Sequence, residues 1–325
     1  MYGRGRKLVV ARSRIFFVTD VHGSNLCFRK FLNAAAFYKA DVLILGGDIT
    51  GKVMTPVVER DGTFTAAHRG TDVVMKSKEE VHEFRKKAGD TGTYTHVVSP
   101  PELEELNADP ARVEELFSKL IVERVQEWVA LAQERLANTR VRCYISPGND
   151  DILAVDPVLS SSRYVVAPEE RVVEIDGQHE MITLGTTNRT PWNSPREVEE
   201  EVLAEKISSM AEKVRDMKSA IFNIHVPPID TAIDQAPRVD EGYRIVVKAG
   251  EVQMMSAGSK ACRDAILRYQ PMLGLHGHIH ESRGIVKLGR TLCANPGSEY
   301  TEGVLKGFLA DVEGDQVKTD ILTSG

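Results

Sequence analysis

The chain has 325 residues, 42% apolar and 27% charged, with a formal charge of −6, which is long enough for one large or two smaller α/β units with ample core. The acidic balance argues against a broad nucleic-acid-binding face, although bound cations can reverse the sign locally and admit an anionic substrate. Four scattered cysteines (Cys27, Cys143, Cys262, Cys293) without a CxxC pair, and no secretory core or membrane span after the basic residues 1–7, point to a reduced, cytoplasmic protein.

Residues 15–19 form an unbroken apolar, β-prone run ending in Asp20-Val21-His22-Gly23, the pattern of a strand buried on both faces. Ser24 or Asn25 then caps a helix that carries Phe28, Phe31, Leu32 and Ala35 at helical spacing. A second buried strand, 42–45, ends in Gly46-Gly47-Asp48. Strand, helix, strand predicts a parallel pair with a right-handed crossover. Residues 50–98 break this pattern. They read as a hairpin over 53–67 about Asp61-Gly62, a charged helix over 77–88, and a Gly/Thr-rich loop up to a Pro100-Pro101 break. This stretch is expected to be an insertion over the sheet edge, too thin in apolar residues for a core of its own.

Pro110 suits the first turn of a long helix through Trp128 and Leu136. A third strand, 141–145, ends in Pro147-Gly148-Asn149-Asp150-Asp151. Short β-prone runs at 171–175 and 180–184 flank an Asp176-Gly177 turn, and a polar loop, 185–195, carries Asn188, Arg189 and Trp192. Residues 197–218 read as a charged, solvated helix. The strand 220–224 ends in His225-Val226-Pro227-Pro228, and a polar loop to Met255 leads into a helix from 258 to 269. Residues 273–275 end in His276-Gly277-His278-Ile279-His280, where alternation predicts that all three histidines face one region. A strand over 291–294, the turn Asn295-Pro296-Gly297-Ser298 and two terminal strands, 307–312 and 316–321, complete the chain.

Five strands thus end in side chains able to hold a metal: Asp20 with His22, Asp48, Asn149, His225, and His278 with His280. Ligands bind open α/β sheets at the carboxyl ends of the strands. Mixed carboxylate, imidazole and amide donors suit two divalent ions that can bind a phosphate and activate water.

The segments Asp20-Val21-His22, Gly47-Asp48, Gly148-Asn149-Asp150-Asp151, His225 and Gly277-His278-Ile279-His280 resemble, in order, the signature of the calcineurin-like metallophosphoesterases. The resemblance implies a mixed α/β fold: a four-layer α/β/β/α sandwich over 1–325, with the hairpin-plus-helix segment at about 50–98 inserted. It also implies one metal on Asp20, His22, Asp48 and His280 and another on Asp48, Asn149, His225 and His278, with a bridging hydroxide attacking phosphorus in line. Manganese is the first expectation, with iron, zinc and nickel also compatible. Asp48, Asn149 and Asp150 are the catalytic candidates, and Asn149 and Arg189 the candidate substrate contacts.

One position departs from the signature. Asp150 stands where many members have the histidine that protonates the leaving alkoxide, a role that suits a group titrating near neutrality. A carboxylate beside two cations stays ionised, so phosphodiester or pyrophosphate cleavage is favoured over phosphomonoester cleavage. His276 is a candidate donor or a packed strand residue. The expected partner is a small phosphate ester rather than a membrane or nucleic acid, with a homo-oligomer left open. A non-enzymatic scaffold, a nuclease and a protein phosphatase are the alternatives.

Overall fold

In the computed structural model, which describes residues 11–325 and so leaves the basic residues 1–7 outside, the strand Arg12–Val18 divides its apolar side chains by period two. Ile15 and Phe17 face one side, Phe16 and Val18 the other, as the pleat requires. This strand, Val42–Gly46 and Arg142–Ser146 pair in parallel. Lys306–Glu313 and Gln316–Ser324 extend the sheet antiparallel on one side, and Val165–Val166 ends it on the other. The second six-stranded sheet runs Gly284–Leu288, Thr291–Asn295, Leu273–Leu275, Ile221–Ile224, Glu180–Leu184, Val172–Glu174, with its four central strands parallel.

Three apolar layers hold the sheets and helices together. Ile15, Phe17, Val42, Ile44 and Tyr144 of the first sheet pack with Met181, Ile221, Leu273, Leu275 and Ala294 of the second. Phe16, Val18, Leu43 and Leu45 lie with the buried faces of helices Asn25–Phe37 and Pro110–Leu136. Ile182, Leu184, Phe222 and Ile224 do the same with Glu200–Ala211 and Lys260–Tyr269. The expected four-layer α/β/β/α sandwich is therefore present. Its helices start where their caps dictate: the Ser24 hydroxyl accepts from the Cys27 N–H at 3.2 Å, and Phe28 stacks on Trp128 at 4.2 Å.

Several local expectations need correction. The segment after Gly51 contains the expected hairpin, Val53–Arg60 with Thr63–His68, but continues into Thr71–Met75. The stretch read as a loop is the strand Thr93–Val98, paired in parallel with Val53–Arg60. Threonine, valine and tyrosine favour that pleated position, but the partner is distant in sequence. The four strands and helix Lys78–Asp90 also enclose a small core of Val57, Phe64, Ala66, Met75, Val81 and Phe84, contrary to expectation. Pro100-Pro101 opens the helix Pro100–Ala108 under a Ser99 cap, because proline is tolerated in a first turn.

The charged helix is shorter than expected, Glu200–Ala211, and buries Leu203, Ile207 and Met210 rather than being wholly solvated. The polar stretch before Met255 carries two paired ribbons, Gln235–Pro237 with Met254–Ser256 and Val247–Lys248 with Glu251–Val252. All four cysteines are buried and free. Among the described residues no helix is long and apolar enough to cross a membrane.

Candidate metal centre

The parallel strands of both sheets bring their carboxyl ends to one place. There the chain leaves each strand in conformations that side chains rarely adopt: Asp20, His22, Asp48 and His278 have φ of 53°, 39°, 49° and 67°. Left-handed non-glycine residues cost on the order of 1 kcal/mol or more each and persist only where the surroundings hold them. Here the loops hold one another. The Asp20 N–H donates to the Gly47 carbonyl at 3.0 Å, His22 N–H to the Asp48 carbonyl at 3.0 Å, and Gly23 N–H to the Ile49 carbonyl at 2.8 Å. Buried Asp151 fastens a third loop by accepting from the N–H groups of Ile49, Thr50 and Gly148 and from the Thr50 hydroxyl.

Two glycines of the motifs answer to close approach. A Cβ on Gly148 would lie 2.2 Å from Asp48 Oδ1, and one on Gly277 would lie 2.2 Å from Thr19 Oγ1 and 2.4 Å from Asp20 Oδ2.

All seven residues expected as metal ligands converge. Asp20, His22 and His280 offer ligand atoms mutually within 4.8 Å, as do Asp48, His225 and His278. His225 Nε2 lies 3.4 Å from Asp48 Oδ1 and 3.7 Å from Asp20 Oδ1, while His280 Nε2 lies 3.4 Å from Asp20 Oδ1 and 3.0 Å from His22 Nε2. Asn149 Oδ1 lies 2.8 Å from His278 Nδ1. His280 thus falls in the first of these groups and His278 in the second. The Gly46 carbonyl takes His225 Nδ1 at 3.0 Å, which aims Nε2 inward, and that buried atom has no hydrogen-bond partner.

An orphaned imidazole nitrogen between two buried carboxylates fits a divalent cation. Electrostatics point the same way. Burial pushes the Asp48 carboxyl up to about 7. Burial opposes the charge on His225 too, yet Asp48 and Asp20 push it up to about 10. Burial pushes His278 down to about 3, assisted by His225. Without a cation, the charge of the buried carboxylates is met by a proton on Asp48 itself or on His225, the load that a bound cation would take over.

Asp150 sits beside this centre and also lies within 4.8 Å of His22 and Asp48 ligand atoms. Its carboxylate is ion-paired with Lys52 and accepts from the Ser194 hydroxyl at 2.6 Å and the Asn149 amide at 3.1 Å. Burial pushes its carboxyl up, but Lys52 and Ser194 outweigh that and hold it well below the usual range. Lys52 is not among the sequence candidates, because a lone lysine in a polar stretch carries no signal.

His276 does not join the other histidines. It is fully buried, its Nδ1 is 2.8 Å from the Ile224 carbonyl, and burial pushes it down to about 4. A left-handed His278 ends the alternation that predicted otherwise. Arg189 lines the cavity beside the centre, ion-paired with Glu199 at 3.1 Å. The turn after Asn295 acts as a brace. The Asn295 amide donates to the carbonyls of Gly277 and Ile279, and the Ser298 hydroxyl to that of Asp20 at 2.6 Å.

No family model matches the chain. A stretch of 152 residues is 30% identical to the uncharacterized protein MJ1162 of Methanocaldococcus jannaschii, covering 46% of this chain and 61% of that protein. The match therefore spans less than two thirds of the relative's length. Among solved structures, TT1561 of Thermus thermophilus aligns over 97% of this chain and 99% of its own, at 13% identity and a TM-score of 0.51. Another aligns over 96% and 99%, at 15% identity and a TM-score of 0.57. At these identities the likeness is one of fold. On this four-layer sandwich the chain brings together the five segments that resemble the calcineurin-like signature, with Asp150 where the resemblance implies a histidine.

Proposed function

We propose that the chain is a dinuclear-metal phosphoesterase of the calcineurin-like family, a single cytoplasmic catalytic domain over 1–325 with 50–98 as an insertion. The observation that carries this reading is the buried, unpartnered Nε2 of His225 facing Asp20 and Asp48. Asp20, His22, Asp48 and His280 would hold one ion, and Asp48, Asn149, His225 and His278 the other. Manganese is the first choice for this mixed nitrogen and oxygen set. Two such ions would neutralise phosphoryl oxygens and generate a nucleophile from water at neutral pH.

The remaining residues position and select. His22 is oriented by the Thr50 carbonyl, 3.2 Å from Nδ1, and His225 by the Gly46 carbonyl. Asp150 receives Lys52, Ser194 and Asn149 donors, so it has no proton to give a departing alkoxide. That favours pyrophosphates and phosphodiesters with an acidic leaving group, such as a phenol, which depart without a proton donor, over alkyl monoesters. The test is hydrolysis of bis-p-nitrophenyl phosphate and p-nitrophenyl phosphate by protein stripped of metal and reloaded with manganese. The reloaded chain is expected to cleave the diester faster. Asp48→Ala and His225→Ala should each fall to background with reduced metal content and an unchanged circular dichroism spectrum. Hydrolysis retained by metal-stripped Asp48→Ala protein would sink the reading.

A further inference from the structure

The metal centre opens into a cavity of about 680 Å³. That volume lies within the range of sites that enclose a drug-sized ligand and exceeds what a bare phosphate needs. Its lining carries two chemistries. Asp48, Lys52, Asn149, Asp150, His278 and His280 are the polar part, at the candidate metal centre. Trp192 and Tyr243, with Ile229, Val239, Ile245 and Met255, make an apolar wall. It is built by two segments read from sequence as polar loops, 185–195 and the stretch leading to Met255.

Trp192 and Tyr243 are stacked on each other with centroids 4.9 Å apart and planes 27° apart. The Tyr243 hydroxyl donates to the Pro191 carbonyl at 3.2 Å, which joins the two segments. Yet the rings remain 58% and 55% exposed, a cost the chain could avoid with polar side chains. Both cations on the cavity wall are already engaged, Lys52 with Asp150 and Arg189 with Glu199. The lining therefore holds no unengaged lysine or arginine for a second phosphate, while a substrate with one phosphate and one flat apolar group matches both chemistries.

We infer that the Trp192–Tyr243 wall binds a planar aromatic ester group of the substrate, so that the preferred substrate class is an aryl- or nucleobase-bearing phosphodiester. This rests on the phosphoesterase reading for its phosphate end but is tested on affinity, each titration being completed before any phenol or alcohol is released. The manganese-loaded full chain is titrated calorimetrically with dimethyl, dibutyl and diphenyl phosphate. Burying an aromatic ring corresponds to about ten- to a hundredfold in affinity. Diphenyl phosphate should therefore bind at least about tenfold tighter than the dimethyl ester, and tighter than the flexible dibutyl ester. Trp192→Ala and Tyr243→Ala should each remove most of that preference, and Trp192→Phe should keep it. Diphenyl affinity within about twofold of either alkyl ester, or an unchanged ranking in both alanine variants, overturns the inference. A chain that ranks the probes as expected but hydrolyses no phosphate ester keeps this pocket and loses the enzymatic reading.

Discussion

Asp150 and Lys52 show how one substitution in a motif is absorbed by another residue far away in sequence. A carboxylate facing the path of an anionic substrate repels it, and the Lys52 ammonium cancels that repulsion. The lysine is held there because burial disfavours its charge but Asp150 and Asp48 more than restore it, raising its pKa. Removing one partner of a partly buried pair leaves the other uncompensated. Lys52→Ala is therefore expected to lower kcat/KM for bis-p-nitrophenyl phosphate by about tenfold or more, as for other lost charge stabilisation near a reacting phosphate. The double variant Lys52→Ala/Asp150→Asn should recover part of the loss in steady-state kinetics. No recovery would mean that Lys52 acts on the substrate and not through Asp150. Most of the candidate ligand residues are legible in the sequence because they sit in short segments with a glycine forced by close approach, such as Gly148 against Asp48. His225, followed by Val226-Pro227-Pro228, is legible from its place at the end of an apolar strand. Lys52 is illegible because its meaning lies entirely in a spatial partner. His276 misleads because backbone alternation stops at the left-handed His278.

Strand ends, helices and ribbons are legible in proportion to how locally their stabilisation is determined. The central strands announce themselves as apolar runs, and capped helices such as Asn25–Phe37 start where serine stands. Thr93–Val98 does not, because its pairing with Val53–Arg60 spans the intervening hairpin and helix. The helix Glu200–Ala211 looks solvated because charge dominates its composition, yet it meets its neighbour through Glu200. That carboxylate accepts from the Ser259 hydroxyl at 2.8 Å and from the N–H groups of Lys260 and Ala261 at 3.1 and 2.7 Å. It thus satisfies the free donors at the start of Lys260–Tyr269 and places negative charge at the positive end of that helix. Glu200→Ala should cost about 1 kcal/mol or more of stability, read as a lower denaturation midpoint, while Glu200→Gln should cost less. An alanine variant as stable as the parent would show that water replaces the carboxylate fully.

At the scale of the sandwich, the two ends are fastened differently. The carboxyl ends of the strands meet through the candidate metal-ligand cluster, whereas the opposite end carries ionic links between the sheets, Arg290 with Asp315 at 3.6 Å and a buried clasp beside it. There Asp176 Oδ2 accepts from the Ser13 hydroxyl of the first sheet at 2.5 Å and lies 2.6 Å from His179 Nδ1. His179 Nε2 lies 2.8 Å from the Gly314 carbonyl, in the turn between the two terminal strands. Both ring nitrogens thus face acceptors, which calls for the doubly protonated imidazolium. Burial opposes ionisation of both groups. For Asp176, bonds from His179 and Ser13 outweigh it and lower the pKa below 3.8. For His179, Asp176 first, then the Gly314 carbonyl and Asp216, raise the pKa above 6.5. The signs follow from linkage. The raised histidine contributes stability that is complete below about 6.5 and lost as pH rises through its folded pKa. The lowered aspartate contributes stability that is complete above about 3.8 and lost as pH falls through its folded pKa. The clasp is therefore strongest between about pH 4 and pH 6.5, where both conditions hold. Thermal denaturation of the native chain and His179→Gln across pH should show the largest Tm deficit in the variant near pH 5.5. The deficit should shrink towards pH 9, where the native histidine has also lost its proton. A deficit constant from pH 5 to pH 9 would mean that His179 acts there as a neutral hydrogen-bonding group, and that this clasp joins the two sheets without a charge on the imidazole.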